Sequence, residues 1–331
     1  MSKLQKGAKN LITDVPGVKV GHCTVAEGER QTGVTVVLPG AANPFTHKLT
    51  AASFVLNGFG KSQGLIQIDE LGTLETPIAL TNTLNVGLVH DALVQYMIDR
   101  CHAEGESPVR SINPIVCECN DAYLNDIQHR AVGYEQVMEA IHSASDSFAL
   151  GAVGAGRGTI CYGFKGGIGS ASRVMEIGGE TFTLGILVQS NYGSREDLRL
   201  ENLKPIAPME QQEDKGSIIM IIATDLPLSA RQLKRVIKRA SVGMARLGSY
   251  IGHGSGEIMV GFTTADPHGG EGAFHTQRIL REDLMNIPFR AVGECCEEAI
   301  IRSMMEAETV TGFEGHRVES IREYLDAQAG F

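Results

Sequence analysis

The sequence predicts an α/β fold, because segments with the pattern of strands alternate along the chain with segments of helical periodicity. Residues 11–40 contain apolar runs separated by Gly and Pro, which is typical of short strands and turns. Val86, Val89, Leu93 and Met97 have the spacing of one helix face, which predicts a helix over residues 85–96. The alternation continues with a strand, a helix and a strand at residues 112–117, 134–141 and 181–188.

The second part of the chain starts after a polar segment. Residues 194–215 include ten charged residues and two prolines without a helical or strand period, so we expect a surface loop. Ser217–Thr224 follows directly as a short, apolar, β-branched run, which predicts a central strand. Ser229 and Gln232 have the spacing of a capping box, and the apolar stripe after them predicts a helix that ends near Gly248. The last predicted elements are a strand over residues 255–263 and an amphipathic helix over residues 294–308.

Composition and charge argue against several classes of function. The net charge is -10 and no dense Lys/Arg cluster reverses it locally, so a nucleic-acid partner is not expected. The sequence has no apolar run of about 18 residues and no apolar stretch at its start, so we expect a cytoplasmic protein with no membrane span. Seven scattered cysteines, an odd number, fit reduced thiols that pack in the interior.

The junction at Gly216 and Ser217 is the first candidate for chemistry. Five Gly-Ser pairs occur in the chain, but only this one joins a polar segment to a strongly apolar strand. If the peptide bond before Ser217 breaks through an ester, the serine gains a free α-amine whose ordinary pKa is about 7.7–8.0. That amine can act as the general base for the hydroxyl of the same residue. An ordinary junction of loop and strand is the competing interpretation.

Three further groups of polar residues accompany the predicted strands. Ser255 and Glu257 lie two apart on one strand face, where they can orient the Ser217 amine or simply form a solvent-facing polar edge. Asn191 ends a strand and is either an oxyanion donor or a turn residue before a glycine. Glu118 ends an apolar strand and either binds a substrate ammonium group or forms a surface salt bridge.

Motifs in the same order cover nearly the whole chain and resemble those of the DmpA/β-peptidyl aminopeptidase family, peptidase family S58. They are residues 11–22 (LITDVPGVKVGH), 75–83 (ETPIALTNT), 161–169 (CYGFKGGIG), 216–219 (GSII) and 255–257 (SGE). The resemblance implies a four-layer α/β/β/α sandwich of the DmpA/ornithine-acetyltransferase-like type with an Ntn-hydrolase-like core. It also implies one catalytic domain over residues 1–331, cut between Gly216 and Ser217 into chains 1–216 and 217–331.

The same resemblance implies an activity and a set of roles. The chain is expected to be a serine aminopeptidase or amidase that acts on small peptides or amino-acid amides through an acyl-enzyme, without a metal or other cofactor. It is expected to assemble as a homo-oligomer of two-chain units. The implied residues are Ser217 as nucleophile, Ser255 and Glu257 as its catalytic neighbours, Asn191 as oxyanion donor, and Glu118 and Asn120 at the substrate.

The chain departs from the family pattern at Lys61, Lys215 and Asn120, which leaves the identity of the substrate open. Other interpretations are weaker. The glycine-rich residues 151–158 lack the strand, helix and acidic residue of a dinucleotide site. His253 and Ser255 do not have the glycine spacing of a nucleophile elbow. Scattered Cys and His, including His268 and His275, lack the spacing of metal ligands. A family member that has lost activity and acts as a binding protein remains the alternative.

Overall fold

The computed structural model describes residues 4–106, 108–200, 216–265, 268, 273–274 and 276–329. The strands within these residues are β1 (Lys19–Glu27), β2 (Arg30–Leu38), β3 (Leu49–Gly58), β4 (Thr73–Leu74), β5 (Ile78–Asn82), β6 (Ile115–Cys119), β7 (Ile160–Cys161), β8 (Phe164–Lys165), β9 (Gly167–Ile177), β10 (Glu180–Asn191), β11 (Ser217–Thr224), β12 (Gly256–Thr263), β13 (Val310–Thr311) and β14 (Arg317–Val318). The helices are α1 (Leu65–Leu71), α2 (Val86–Ala103), α3 (Tyr134–His142), α4 (Ala230–Ile237), α5 (Ser241–Arg246), α6 (Asn286–Met305) and α7 (Ile321–Ala329).

Two sheets form the centre of the fold. One has the strand order β1-β2-β5-β6 and the other the order β4-β3-β12-β11-β10-β9. Most neighbouring strands run antiparallel, but β5 and β6 form a parallel pair, and so do β11 and β12. The central place of β11 confirms the interpretation of its apolar sequence, because a strand covered on both faces needs apolar residues at consecutive positions.

Three buried apolar clusters show how the layers are stacked. The middle cluster joins the facing sides of the two sheets and includes Leu80, Ile219 and Val260. A second cluster packs α2 and α3 against the outer face of the smaller sheet. The third packs α4, α5 and α6 against the outer face of the larger sheet. The order of layers is therefore α/β/β/α, and the sandwich implied by the sequence motifs is confirmed.

Most elements lie where the sequence predicts them, but some boundaries differ. The strand expected at residues 112–117 begins only at Ile115, because Pro114 has no N–H to donate to a strand ladder. The last long helix begins at Asn286, ahead of the expected residues 294–308, since Pro288 falls in the first turn, where an N–H has no helical partner.

The single helix expected after Ser229 is also wrong in part. Its predicted capping box is present, with the Gln232 N–H donating to the Ser229 hydroxyl at 3.3 Å. A 3-10 turn at Lys238–Ala240 then separates α4 from α5. The Arg239 guanidinium donates to the Arg235 carbonyl at 2.6 Å and so competes with the Arg239 N–H, which binds that oxygen in a continuous α-helix.

The glycine-rich segment from residue 151 to residue 169 packs against β1 and β2. A Cβ on Gly154 would lie 2.4 Å from the Thr35 hydroxyl oxygen and 2.8 Å from Nδ1 of His22, so only glycine fits. The Ala149 carbonyl, 3.1 Å from Nε2 of His22, can only accept a hydrogen bond, so Nε2 carries the proton and Nδ1 accepts from Thr35. Burial lowers the pKa of His22 to about 4, which favours this neutral form.

Candidate active site

Ser217 lies at the start of β11, between two neighbouring strands. It is opposite Asn191 on β10 and opposite Gly256 on β12. Ser217 shares one face of β11 with Ile219, which lies in the core between the sheets. Ser217 is only 5% exposed. The Cys119 thiol, at the end of β6 in the other sheet, donates to the Ser217 carbonyl at 3.5 Å. Both sheets therefore hold the backbone of Ser217 in place.

The residue before Ser217 must be glycine for reasons of space. A Cβ on Gly216 would lie 2.1 Å from the Asn191 carbonyl oxygen and 2.5 Å from Cα of Tyr192. The Gly216 carbonyl oxygen accepts a hydrogen bond from the Gly256 N–H at 3.1 Å. A donor to the carbonyl of the Gly216–Ser217 peptide is therefore present, in the position where an attack by a hydroxyl places negative charge on that oxygen.

Ser255 and Glu257 form a buried pair on either side of Gly256. The Ser255 hydroxyl donates to the Glu257 carboxylate, and neither residue has any exposed surface. The alternative of a solvent-facing polar edge is therefore wrong. Glu257 shares its face of β12 with Met259, as the sequence predicts, and is opposite Ile218 in the parallel pair. Because Gly256 is the partner of Ser217, Ser255 and Glu257 each lie one position away from Ser217 along the neighbouring chain.

Asn57 on β3 holds the chain just before β12. Its side-chain amide donates to the carbonyls of Gly252 at 3.0 Å and His253 at 3.3 Å, and also to the carbonyl of Ser255. These contacts fix the Ser255 backbone, and with it the direction of the hydroxyl toward Glu257. Sequence analysis did not identify Asn57, since its partners lie almost 200 residues further along the chain.

Asn191 ends β10, as the sequence predicts, and its side chain has a defined orientation. Its Oδ1 accepts from the Ile160 N–H at 2.9 Å. Because a backbone N–H can only donate, this contact identifies the oxygen of the amide and leaves Nδ2 as the donor end. Direct partners in an antiparallel pair share one face, so the side chains of Asn191 and Ser217 are neighbours.

Glu118 lies on β6 and is 3% exposed. One carboxylate oxygen accepts from the Lys61 N–H at 2.9 Å and the other from the Thr83 hydroxyl. The alternative of a surface salt bridge is therefore wrong. A Cβ on Gly60 would lie 3.7 Å from the Glu118 carboxylate and 3.8 Å from the Ile258 side chain of β12, so the carboxylate lies near the larger sheet.

Asn120 differs from Glu118 in exposure and in contacts. It is exposed, and its Oδ1 accepts from the Ala122 N–H at 3.0 Å, which closes a turn after β6. Asn120 thus shapes the loop that leaves the site. The sequence patterns do not identify Thr83 or Lys165 as candidate site residues. A signal was present for Lys165, since it is a lone charge in the small and apolar run 161–169.

Among the residues that the structure describes, there is no group of three or more His, Cys, Asp or Glu that can hold a metal ion. The cysteines considered above are buried free thiols, and burial raises the pKa of Cys117 to about 12, which disfavours the thiolate that binds metals. His275 lies outside the described residues. None of the described helices is both long enough and apolar enough to cross a bilayer.

Comparison with known proteins decides the family. The sequence profile of peptidase family S58 matches residues 10–318. The chain belongs to peptidase family S58. It is therefore a peptide hydrolase, as the motifs imply.

Two relatives of this S58 chain are the beta-peptidyl aminopeptidases BapA of Sphingosinicella xenopeptidilytica and Sphingosinicella microcystinivorans. Each is 36% identical to it, and the alignments cover 95% of this chain and 85% and 86% of the relatives.

Solved structures agree with the family. A Burkholderia sp. beta-aminopeptidase matches with a TM-score of 0.86 at 39% identity, covering 100% of this chain and 96% of its own. The L-aminopeptidase D-Ala-esterase/amidase of Ochrobactrum anthropi matches with a TM-score of 0.91 at 34% identity, covering 100% and 97%. That protein is described as a prototype for the serine aminopeptidases and a new variant among the Ntn hydrolase fold. The Ntn-hydrolase-like core expected for the S58 chain is confirmed.

Proposed function

We propose that the chain is a self-processing aminopeptidase in which Ser217 first cuts the bond that precedes it and then hydrolyses substrates as an N-terminal nucleophile. The observation that carries this proposal is the hydrogen bond from the Gly256 N–H to the Gly216 carbonyl, directly beside Ser217. Processing divides the catalytic domain into residues 1–216 and residues 217–331.

The processing step moves an acyl group from nitrogen to oxygen. The Ser217 hydroxyl attacks the Gly216 carbonyl carbon, and the Gly256 N–H stabilises the negative oxygen. Collapse breaks the C–N bond, the hydroxyl proton passes to the leaving nitrogen, and an ester joins Gly216 to the Ser217 oxygen. Water then hydrolyses the ester, which gives a Gly216 carboxylate and a Ser217 with a free amine and hydroxyl.

The hydrolysis of substrates uses the new amine. The neutral Ser217 amine accepts the proton of its own hydroxyl as the oxygen attacks the substrate carbonyl, and later gives that proton to the leaving amine. Nδ2 of Asn191 and the Gly256 N–H serve as oxyanion donors. Ser255 and Glu257 orient the Ser217 amine. A water molecule then attacks the acyl-enzyme and releases the amino acid.

The substrate class follows from Glu118. Glu118 is a buried carboxylate that directly precedes Cys119, whose thiol contacts the Ser217 carbonyl. It favours a substrate with a free ammonium group, so the enzyme releases N-terminal amino acids from small peptides, amides or esters, with the exposed Asn120 at the rim of the substrate site. The relatives support this, since they are named as aminopeptidases. We further infer that the processed units assemble as a homo-oligomer.

Intact-mass analysis of the folded protein tests the processing step. We expect fragments of 216 residues and the remaining 115 of the 331 residues, and one uncut, inactive chain for Ser217→Ala. Ser249→Ala is the matched control, because Ser249 also follows a glycine but lies outside the site. A wild-type chain that stays whole after long incubation, or Ser217→Ala hydrolysing an aminoacyl p-nitroanilide at the wild-type rate, would contradict the proposal.

A further inference from the structure

Lys165 is a buried lysine with all its donors engaged. It lies on β8, opposite Ile160 of the short strand β7, and has no exposed surface. Its Nζ donates to the carbonyls of Gly156 at 2.9 Å, Thr159 at 2.7 Å and Gly166 at 2.8 Å. Three backbone carbonyls of the glycine-rich segment thus surround a single amino group.

These contacts require the charged form of the lysine. Burial lowers the pKa of Lys165. A neutral amine, however, has only two N–H donors, and its lone pair would face the third carbonyl oxygen. An ammonium ion has three donors and satisfies all three acceptors. The nearby Arg157 guanidinium disfavours the positive charge and the Asp121 carboxylate favours it, so the three carbonyl acceptors decide the charge state of the lysine. The interior therefore contains an ammonium ion close to β7.

One of the three carbonyls, that of Thr159, belongs to a peptide group that also binds Asn191. The Thr159 carbonyl and the Ile160 N–H are the two ends of the same peptide group. Lys165 binds the oxygen end at 2.7 Å, and Oδ1 of Asn191 binds the N–H end at 2.9 Å. Hydrogen bonds in such a chain polarise one another, so a positive charge at one end makes each following N–H a stronger donor.

We propose that Lys165 is a positioning residue for the oxyanion donor: through the peptide group between Thr159 and Ile160, it fixes the orientation of the Asn191 amide and strengthens Nδ2 as a donor. This inference rests on the proposed role of Asn191. Lys165 then affects the rate of the chemical step, in addition to holding the glycine-rich segment through its three carbonyls.

The test replaces Lys165 by methionine, which has a similar length but no donor. The variant retains a hydrogen bond to the Thr159 carbonyl from the Gly166 N–H at 3.0 Å, so the segment keeps one of its anchors. Arg302→Met is the matched control, because Arg302 is a cation that donates to backbone carbonyls, including that of Ser170 at 2.7 Å, away from Asn191. The thermal midpoint, the extent of processing, kcat and KM are measured for each purified variant.

We expect kcat of Lys165→Met to fall about tenfold, which is less than the loss caused by removing an oxyanion donor itself. KM should change little, and Arg302→Met should keep the wild-type kcat. In an Asn191→Ala background, Lys165→Met should cause no further loss of kcat. Additive losses in the double variant, or a folded Lys165→Met with wild-type kcat, would overturn the proposal.

Two outcomes are kept apart by the single variants. If Asn191→Ala itself has the wild-type kcat, the proposed oxyanion role fails. If Asn191→Ala is slow and Lys165→Met is not, only the inference about Lys165 fails. Should Lys165→Met not fold, Ile160→Pro removes the N–H that binds Asn191 at the first position of β7, where proline is tolerated. It should lower kcat in the same way, and a wild-type kcat there would refute the inference.

Discussion

Replacing Glu118 by glutamine removes the charge of a buried carboxylate while the shape of the side chain is kept. The amide oxygen of the new side chain can accept from the Lys61 N–H, and its NH₂ group can donate to the Thr83 hydroxyl oxygen, so both contacts of the carboxylate have a replacement. We therefore expect Glu118→Gln to fold and process normally, and to change only the recognition of the substrate ammonium group.

The magnitude follows from the burial of the site. Glu118 is 3% exposed, so water screens its charge poorly. A hydrogen bond to a charged group contributes about 1.5–3 kcal/mol, and each 1.4 kcal/mol is tenfold. The variant should therefore lose about 10- to 140-fold in kcat/KM for a substrate with a free amine. An N-acetylated substrate has no ammonium group, so its low kcat/KM should change by less than about twofold.

The assay compares an aminoacyl p-nitroanilide with its N-acetyl derivative in the wild-type enzyme and in Glu118→Gln. Glu75→Gln is the matched control, because Glu75 is also a buried carboxylate that accepts a backbone N–H, from Asn113 at 2.8 Å, and a side-chain donor, Lys48. It should leave the preference for free amines intact. Equal rates of the wild-type enzyme on both substrates, or equal losses on both in Glu118→Gln, would refute the reasoning and leave a general amidase.

Thr83→Val removes the hydroxyl that donates to Glu118, so kcat/KM for free-amine substrates should fall roughly tenfold and recover in Thr83→Ser, as measured by initial rates. Ser255→Ala removes the donor to Glu257 and should fold but turn over at least about tenfold more slowly; a wild-type kcat after complete processing would rule out its role. His22 has a pKa lowered to about 4, so the unfolded chain binds a proton below about 6.5 that the folded protein does not. The free energy of unfolding of the wild-type protein should therefore decrease, relative to that of His22→Gln, by roughly 1.4 kcal/mol for each unit by which the pH is lowered from about 6.5 to 4. The same pH dependence of the free energy of unfolding in both proteins would show that His22 is not the cause.

Local patterns account for much of the fold that could be predicted. The continuous apolar run of β11 predicts a central strand, because a strand buried on both faces needs apolar residues at consecutive positions and the run is too short for a buried helix. The spacing of Ser255 and Glu257 predicts a shared face, and the hydrogen bond between them confirms it. Asn191 is correctly placed at the end of a strand because its flanking residues already show where the apolar run ends.

The contacts of the candidate site depend instead on long-range pairing. Glu118 meets Thr83 and the Lys61 N–H across separations of 35 and 57 residues, and no local pattern shows which partners a buried carboxylate will find. The link from Lys165 to Asn191 passes through the peptide group between Thr159 and Ile160. No side-chain pattern in the sequence predicts the orientation of that peptide group. The 3-10 turn between α4 and α5 contains an arginine whose side chain binds a carbonyl of its own helix, and periodicity alone does not reveal that contact.

The order of strands in the larger sheet has a consequence for a chain cut at Gly216. Strands β11 and β12 come from the second fragment, yet they lie between β10 and β3, which come from the first. The second fragment is therefore held on both sides by ladders of the first, and separation would expose four unpaired strand edges. Before the cut, refolding is an event within one chain. After the cut, the two fragments must associate again, so the yield of refolding depends on their concentration. The lifetime of the folded, cut protein is then set by the rate at which it unfolds.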